Sequence, residues 1–190
     1  MTDTATVCHI TLPEWVSGFI ESWSGDLETG EDRMRLAIAL SAENVARGSG
    51  GPFGAIVFDT AANKLISVGV NLVTNLNISC AHAEIVALSL AQRQVGDWNL
   101  ASGGEIELTS SCEPCAMCFG AVPWSGVSRL VYGANRDDAE AVGFDEGDKP
   151  QDWHASLTRR GITVEAELLR REAAAVFDQY QESGGVVYTP

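Results

Sequence analysis

Ser110-Ser-Cys-Glu-Pro-Cys-Ala-Met-Cys118 is the stretch on which the reading of this chain turns. Cys115 and Cys118 stand three apart directly after Pro114. Proline is favoured at the start of a helix, so both sulfurs are predicted to project from one side of a first turn. About thirty residues upstream, Ala81-His82-Ala83-Glu84 opens a run of good helix formers from Ala83 to Gln94, which puts His82 and Glu84 at the positive end of a second helix. Two thiolates and one imidazole supply three zinc ligands and leave a fourth tetrahedral position for water, the arrangement of a catalytic site. Glu84 lies two residues beyond His82, off its helical face, and so reads as an acid/base beside the water and not as a fourth ligand. A lone His-x-Glu recurs by chance and a histidine at a helix start usually caps or packs; it is the pairing of the two motifs that carries the reading.

Working outward, the strand pattern Glu105 to Thr109 precedes the cysteines and a helix from Pro114 to about Val122 follows them. Strand, loop, ligands and helix in that order match the usual location of sites in open α/β sheets. A turn cluster, Gly48 to Gly54, leads into strands Ala55–Asp59 and Lys64–Val70, a predicted hairpin. Its glycines precede a strand instead of joining a strand to a helix, which disfavours a phosphate-binding loop. Asn71 ends the second of these strands, where a polar side chain either forms a turn or reaches a ligand. Further strands are predicted at Ser128–Gly133 and Ile162–Glu167, with helices at Glu31–Arg47, near Trp153–Arg159 and at Leu169–Gln181. Arg33 and Arg35 are assigned to the exposed face of the first of these helices. The pattern predicts a three-layer α/β/α domain with a mixed five-stranded sheet. Residues 1–30 read as an extension whose Trp15, Phe19, Ile20 and Trp23 mark a short helix, residues 31–183 as one domain and residues 184–190 as a tail.

Composition narrows the function. With Asp+Glu 26 against Lys+Arg 12, the net charge of −14 repels a phosphate backbone, so nucleic acid is not the expected partner. No apolar run approaches the roughly 20 residues of a membrane helix, and the first residues lack the basic start and apolar stretch of a signal peptide, so a cytoplasmic protein with no membrane partner is expected. Five cysteines, three of them within seven residues, suit metal binding in a reducing compartment. Cys8 and Cys80 read as small hydrophobes or exposed thiols. Cys112 is the one obvious fourth ligand; if it closed the tetrahedron, the chain would be a zinc-stabilised binding module and not an enzyme.

The two motifs together resemble the zinc-dependent nucleobase deaminases. Within that superfamily, Gly51-Pro-Phe-Gly-Ala55, Asn71, Ala81-His-Ala-Glu84, Ser111 to Cys118 and Gly143-Phe-Asp-Glu-Gly147 look like the bacterial guanine deaminases of the cytidine-deaminase fold. The resemblance covers about residues 51–144 and the loop just beyond, and the Gly-Phe-Asp-acidic loop is its most discriminating part. It implies Zn2+ on His82, Cys115 and Cys118, Glu84 as the main proton shuttle, and Asn71 with the backbone at Ala83 hydrogen-bonding the purine. It further implies Phe53 and Phe144 against the ring, Glu146 as a second carboxylate near the departing amine, and an aromatic near the chain end, Tyr188, closing the site of a neighbouring subunit in a swapped homodimer. The activity implied is hydrolysis of a free purine base, guanine to xanthine and ammonia. Alternatives are a related heterocycle: ammeline or another aminotriazine, guanosine, cytosine or adenine. A tRNA adenosine deaminase shares both motifs, and the chain's acidity argues against it. The extension before Gly30 has no counterpart in the family pattern.

Overall fold

The computed structural model describes residues 5–188. Its centre is a five-stranded sheet of β1 (Gly54–Asp59), β2 (Lys64–Val70), β3 (Ile106–Cys112), β4 (Arg129–Ala134) and β5 (Thr163–Glu165) in the order β2-β1-β3-β4-β5. β1 runs antiparallel to both β2 and β3, while β3, β4 and β5 are parallel, so the sheet is mixed as expected. β1 and β3 are buried on both faces, with every residue of β3 buried, because helices cover the sheet on both sides. α2 (Gly30–Ala46) and α8 (Arg170–Glu182) lie on one face; α4 (Ala83–Val95) packs on the other with α5 (Ala116–Ser125) and α7 (Trp153–Thr158). α1 (Trp15–Ser22), α3 (Val73–Leu76) and α6 (Arg136–Ala141) complete the helices of the described residues.

Local chemistry accounts for the boundaries. Thr29 caps α2 in a reciprocal box with Asp32, and Gly96 and Gly126, both in the left-handed region, stop α4 and α5. Of the N-terminal extension, α1 adds Val16 to the core between α2, β1 and β2, with Trp15, Phe19, Ile20 and Trp23 packed against it. At Gly69 in β2 the strand passes so close to α4 that a Cβ would stand 2.2 Å from the Ala83 carbonyl.

Three elements differ from expectation. β3 runs on to Cys112, and α5 begins at Ala116 with Cys115 as its N-cap, two residues later than Pro114 suggests. The turn is held from outside the segment, since the Ala116 amide donates to the Glu146 carbonyl at 2.9 Å. α3 is a four-residue turn too short to carry a period. Arg33 is not on a solvated face: its Nε donates to Glu107 Oε1 at 2.6 Å, and its Nη1 reaches the carbonyls of Leu27 and Glu28. Glu107 is fully buried in the middle of β3, and a carboxylate there is tolerated only with a cation beside it; Arg129 supplies a second one at 2.9 Å. Arg35 is exposed, as read from the sequence.

Candidate active site

α4 and α5 start side by side at the carboxyl ends of the central strands, and their first turns bring His82, Cys115 and Cys118 together. The three ligand atoms lie within 4.8 Å of one another, with Cys115 Sγ 3.5 Å from His82 Nδ1. That spacing suits zinc, whose bonds to nitrogen and sulfur are about 2.1 and 2.3 Å. Cys112 is not in this group among the described residues; its thiol points to the Asn135 carbonyl at 3.9 Å. The donor set is therefore three, the number that leaves zinc an open position.

Left to themselves, these groups perturb one another electrostatically. The Cys118 thiol and, next, His82 hydrogen-bond the Cys115 sulfur and hold its pKa down at about 4, against the opposing pull of burial. Cys118, on the other side of the shared hydrogen bond, is pushed far up, and burial adds to that. Burial pulls His82 down but is outweighed by the Cys115 hydrogen bond and the Glu84 charge, so the imidazole holds its proton more tightly than usual. Burial, then the Cys115 charge, raises the Glu84 carboxyl. The same two causes, with Glu84 added, push Glu146 up to about 8. Negative groups crowded into a low dielectric are what a divalent cation relieves, so the residues present fit zinc.

Around the triad, Phe53, His82, Glu84, Glu113, Cys115, Phe144, Asp145, Glu146 and Tyr188 enclose a cavity of about 20 Å³. Glu84 and Glu146 are buried, at 6% and 4% exposure, and Glu146 Oε2 has no hydrogen-bond partner. Phe53 and Phe144 meet edge to face with centroids 5.0 Å apart. Asn71 is fully buried at the end of β2, and Ala83 is the first residue of α4, where an N–H has no acceptor inside the helix. Tyr188 of the same chain lies across the opening: its ring is 6.1 Å from His82 and 5.5 Å from Phe144, and its hydroxyl takes a hydrogen bond from Asn71 Nδ2. The enclosed space holds about one water. Beyond Tyr188 a wider vestibule of about 450 Å³ opens between Val73, Ser79, Met117 and Asp145. A groove of about 740 Å³ between residues 10–21, β2 and α4 touches none of the triad.

The family model of the cytidine and deoxycytidylate deaminase zinc-binding region matches residues 27–134. The chain belongs to this family. Among relatives of this deaminase, the guanine deaminase of Bacillus subtilis (strain 168) is 39% identical over 116 residues, covering 61% of this chain and 71% of the relative. The tRNA-specific adenosine deaminase of Buchnera aphidicola subsp. Schizaphis graminum is 30% identical over 155 residues, or 81% of this chain and 96% of that one. Among solved structures, that of guanine deaminase from Nitrosomonas europaea is 43% identical, superposes with a TM-score of 0.87 and covers 95% of this chain and 100% of the other. The likeness covers 95% of this chain, so the deaminase fold with its mixed sheet holds for nearly all of it.

Sequence reasoning missed Glu113 and Lys149 of this deaminase. Glu113 lines the cavity and is paired with Lys149, which also donates to the Pro114 carbonyl at 2.6 Å and lies over the Trp153 ring at 4.8 Å. Lys149 thereby ties the loop that carries Phe144 and Glu146 to the cysteine turn. Glu113 stands inside the cysteine motif, where its burial could have been suspected; nothing local marks Lys149.

Proposed function

We propose that this deaminase hydrolyses guanine to xanthine and ammonia, with zinc on His82, Cys115 and Cys118. The carrying observation is that two buried carboxylates, Glu84 and Glu146, line one cavity with His82 and Cys115, two of the three clustered zinc donors. Bound zinc supplies the Lewis acidity that makes water a nucleophile near neutral pH. Glu84 accepts a proton from the attacking water and passes it to the ring nitrogen next to the carbon under attack. As the C–N bond breaks, Glu146 delivers a proton to the departing amine and Glu84 takes up the remaining hydroxyl proton, so that ammonia leaves and the carbon keeps a carbonyl oxygen; passage of that proton from Glu84 to Glu146 restores both carboxyls. Asn71 and the Ala83 amide hold the base, and Phe53 and Phe144 pack against its ring. Tyr188 occupies the Asn71 amide and must swing outward to admit a purine.

The Bacillus and Nitrosomonas guanine deaminases support guanine over the other rings, and the net charge of −14 weighs against a tRNA. The same reading places the enzyme in the cytoplasm as a homodimer. Support for a partner is the exposure of Trp98 and Trp124, at 73% and 78%, and of Met117 on α5. Ammonia release across guanine, ammeline, guanosine, cytosine, adenine and a tRNA anticodon stem-loop tests the assignment. Guanine is expected to be turned over fastest, and turnover of the stem-loop without guanine would overturn it.

A further inference from the structure

The oxygen of the Asn71 side chain is already committed: Oδ1 accepts from the amides of Gly51 and Val73, each at 3.3 Å. Its Nδ2 is the atom left to face a ligand, and its direction depends on how the backbone of residue 71 is held. That backbone is fixed by Asn44, a fully buried residue near the end of α2. Asn44 Nδ2 donates to the carbonyls of both Asn71 and Gly51, at 2.9 Å each, and so staples the segment that leads to Phe53 of the cavity to the residue that bonds Tyr188 at its opening. The approach is tight enough that a Cβ on Gly50 would stand 1.8 Å from the Asn71 carbonyl oxygen. Asn44 Oδ1 in turn accepts from Ser49 Oγ at 2.9 Å, and Ser49 Oγ accepts from the indole Nε1 of Trp15 at 3.1 Å. Arg47 covers the Trp15 ring at 5.8 Å.

We infer that Asn44 is a positioning residue for base recognition by Asn71, and that Ser49 and Trp15 extend this brace to the N-terminal helix α1. The inference rests on the base contact assigned to Asn71 above. Only an amide serves at position 44: one end donates to two carbonyls while the other accepts from a hydroxyl. An aspartate would turn a carboxylate oxygen on both carbonyls and an alanine would leave them buried without a donor. Either change removes the restraint on the Asn71 carbonyl and leaves the backbone held only at its amide, by the Phe53 carbonyl at 3.0 Å, and a small misalignment of a buried hydrogen bond to a planar base weakens it steeply. Trp15 thus does more than fill space, and the extension before residue 30 acquires a role in substrate binding.

The test is steady-state kinetics on guanine with the zinc-loaded enzyme, using Asn44→Asp, Ser49→Ala, Trp15→Phe and Asn71→Ala, with Leu40→Ala as a packing control in α2. KM is expected to rise by about tenfold for Asn44→Asp, about threefold for Ser49→Ala and about twofold for Trp15→Phe, with kcat little changed and zinc retained. Leu40→Ala should lower the melting temperature and leave KM alone. Asn44→Asp added to Asn71→Ala should raise KM no further than Asn71→Ala does, since both act through one contact. If Asn71→Ala raises KM while the other three variants do not, this inference is overturned and the base assignment stands. If Asn71→Ala itself leaves KM unchanged, both fall. Should Asn44→Asp not fold, Ser49→Ala and Trp15→Phe decide the matter.

Discussion

The metal half and the base half of the cavity are built differently. The metal half is local: two helix starts and two short motifs bring the three candidate ligands, His82, Cys115 and Cys118, together beside the buried Glu84 through the packing of α4 against α5. The base half is assembled from the ends of four separate segments, the turn at residues 50–53, Asn71, the loop at residues 143–147 and the tail at Tyr188. Its parts are aligned by long-range bonds from Asn44 and Lys149. A centre made of neighbours can be carried unchanged between enzymes. A wall made of distant pieces can be re-aimed one piece at a time, and selectivity is therefore expected to reside there.

Variants that strike one half should show different signatures from those that strike the other. Cys118→Ser removes a ligand, so zinc content by atomic absorption and turnover of every substrate should both collapse; a loss confined to one substrate would break the comparison. Glu84→Gln keeps the shape and should keep the zinc while lowering kcat by about 10³-fold on all substrates. Glu146→Gln touches the base half and should cost about tenfold, by a factor that varies from ring to ring; a uniform loss across the substrate panel would move Glu146 into the metal half. Tyr188→Phe deletes the hydroxyl that competes for Asn71, and KM for guanine should fall by about two- to threefold. A rise would mean that the hydroxyl serves the bound base.

The same division governs what could be read from the sequence. His82, Glu84, Cys115 and Cys118 were legible because helix geometry converts their short spacings into proximity, and the strands because apolar runs bounded by Gly-rich turns have few other readings. Phe53, Phe144, Glu146 and Tyr188 came only from a resemblance, and Asn71 from a strand end that could equally make a turn, since no local rule says that residues 53, 144, 146 and 188 share one cavity. Arg33 shows the limit in the core: a solvated charge and a buried one have the same helical spacing, and the difference is made by Glu107, 74 residues away. Lys149 and Asn44 were missed for the same reason, because their partners lie 36 and 27 residues off. In the single chain, the Tyr188 ring lies over the cavity beside His82 and Phe144.

Gly69 sets how closely α4 lies on β2. Its missing methyl lets β2 lie against the first turn of α4, where a Cβ would be 2.2 Å from the Ala83 carbonyl and 2.5 Å from the Ala87 amide. A single alanine there would have to lift α4 by about an ångström to restore an ordinary contact of roughly 3.5 Å. His82 and Glu84 would rise together, keeping their relation to each other while moving relative to Asn71. The gap between strand and helix is thus a spacer that one small side chain could reset, altering which ring sizes are accepted without a change in any residue that touches the ring.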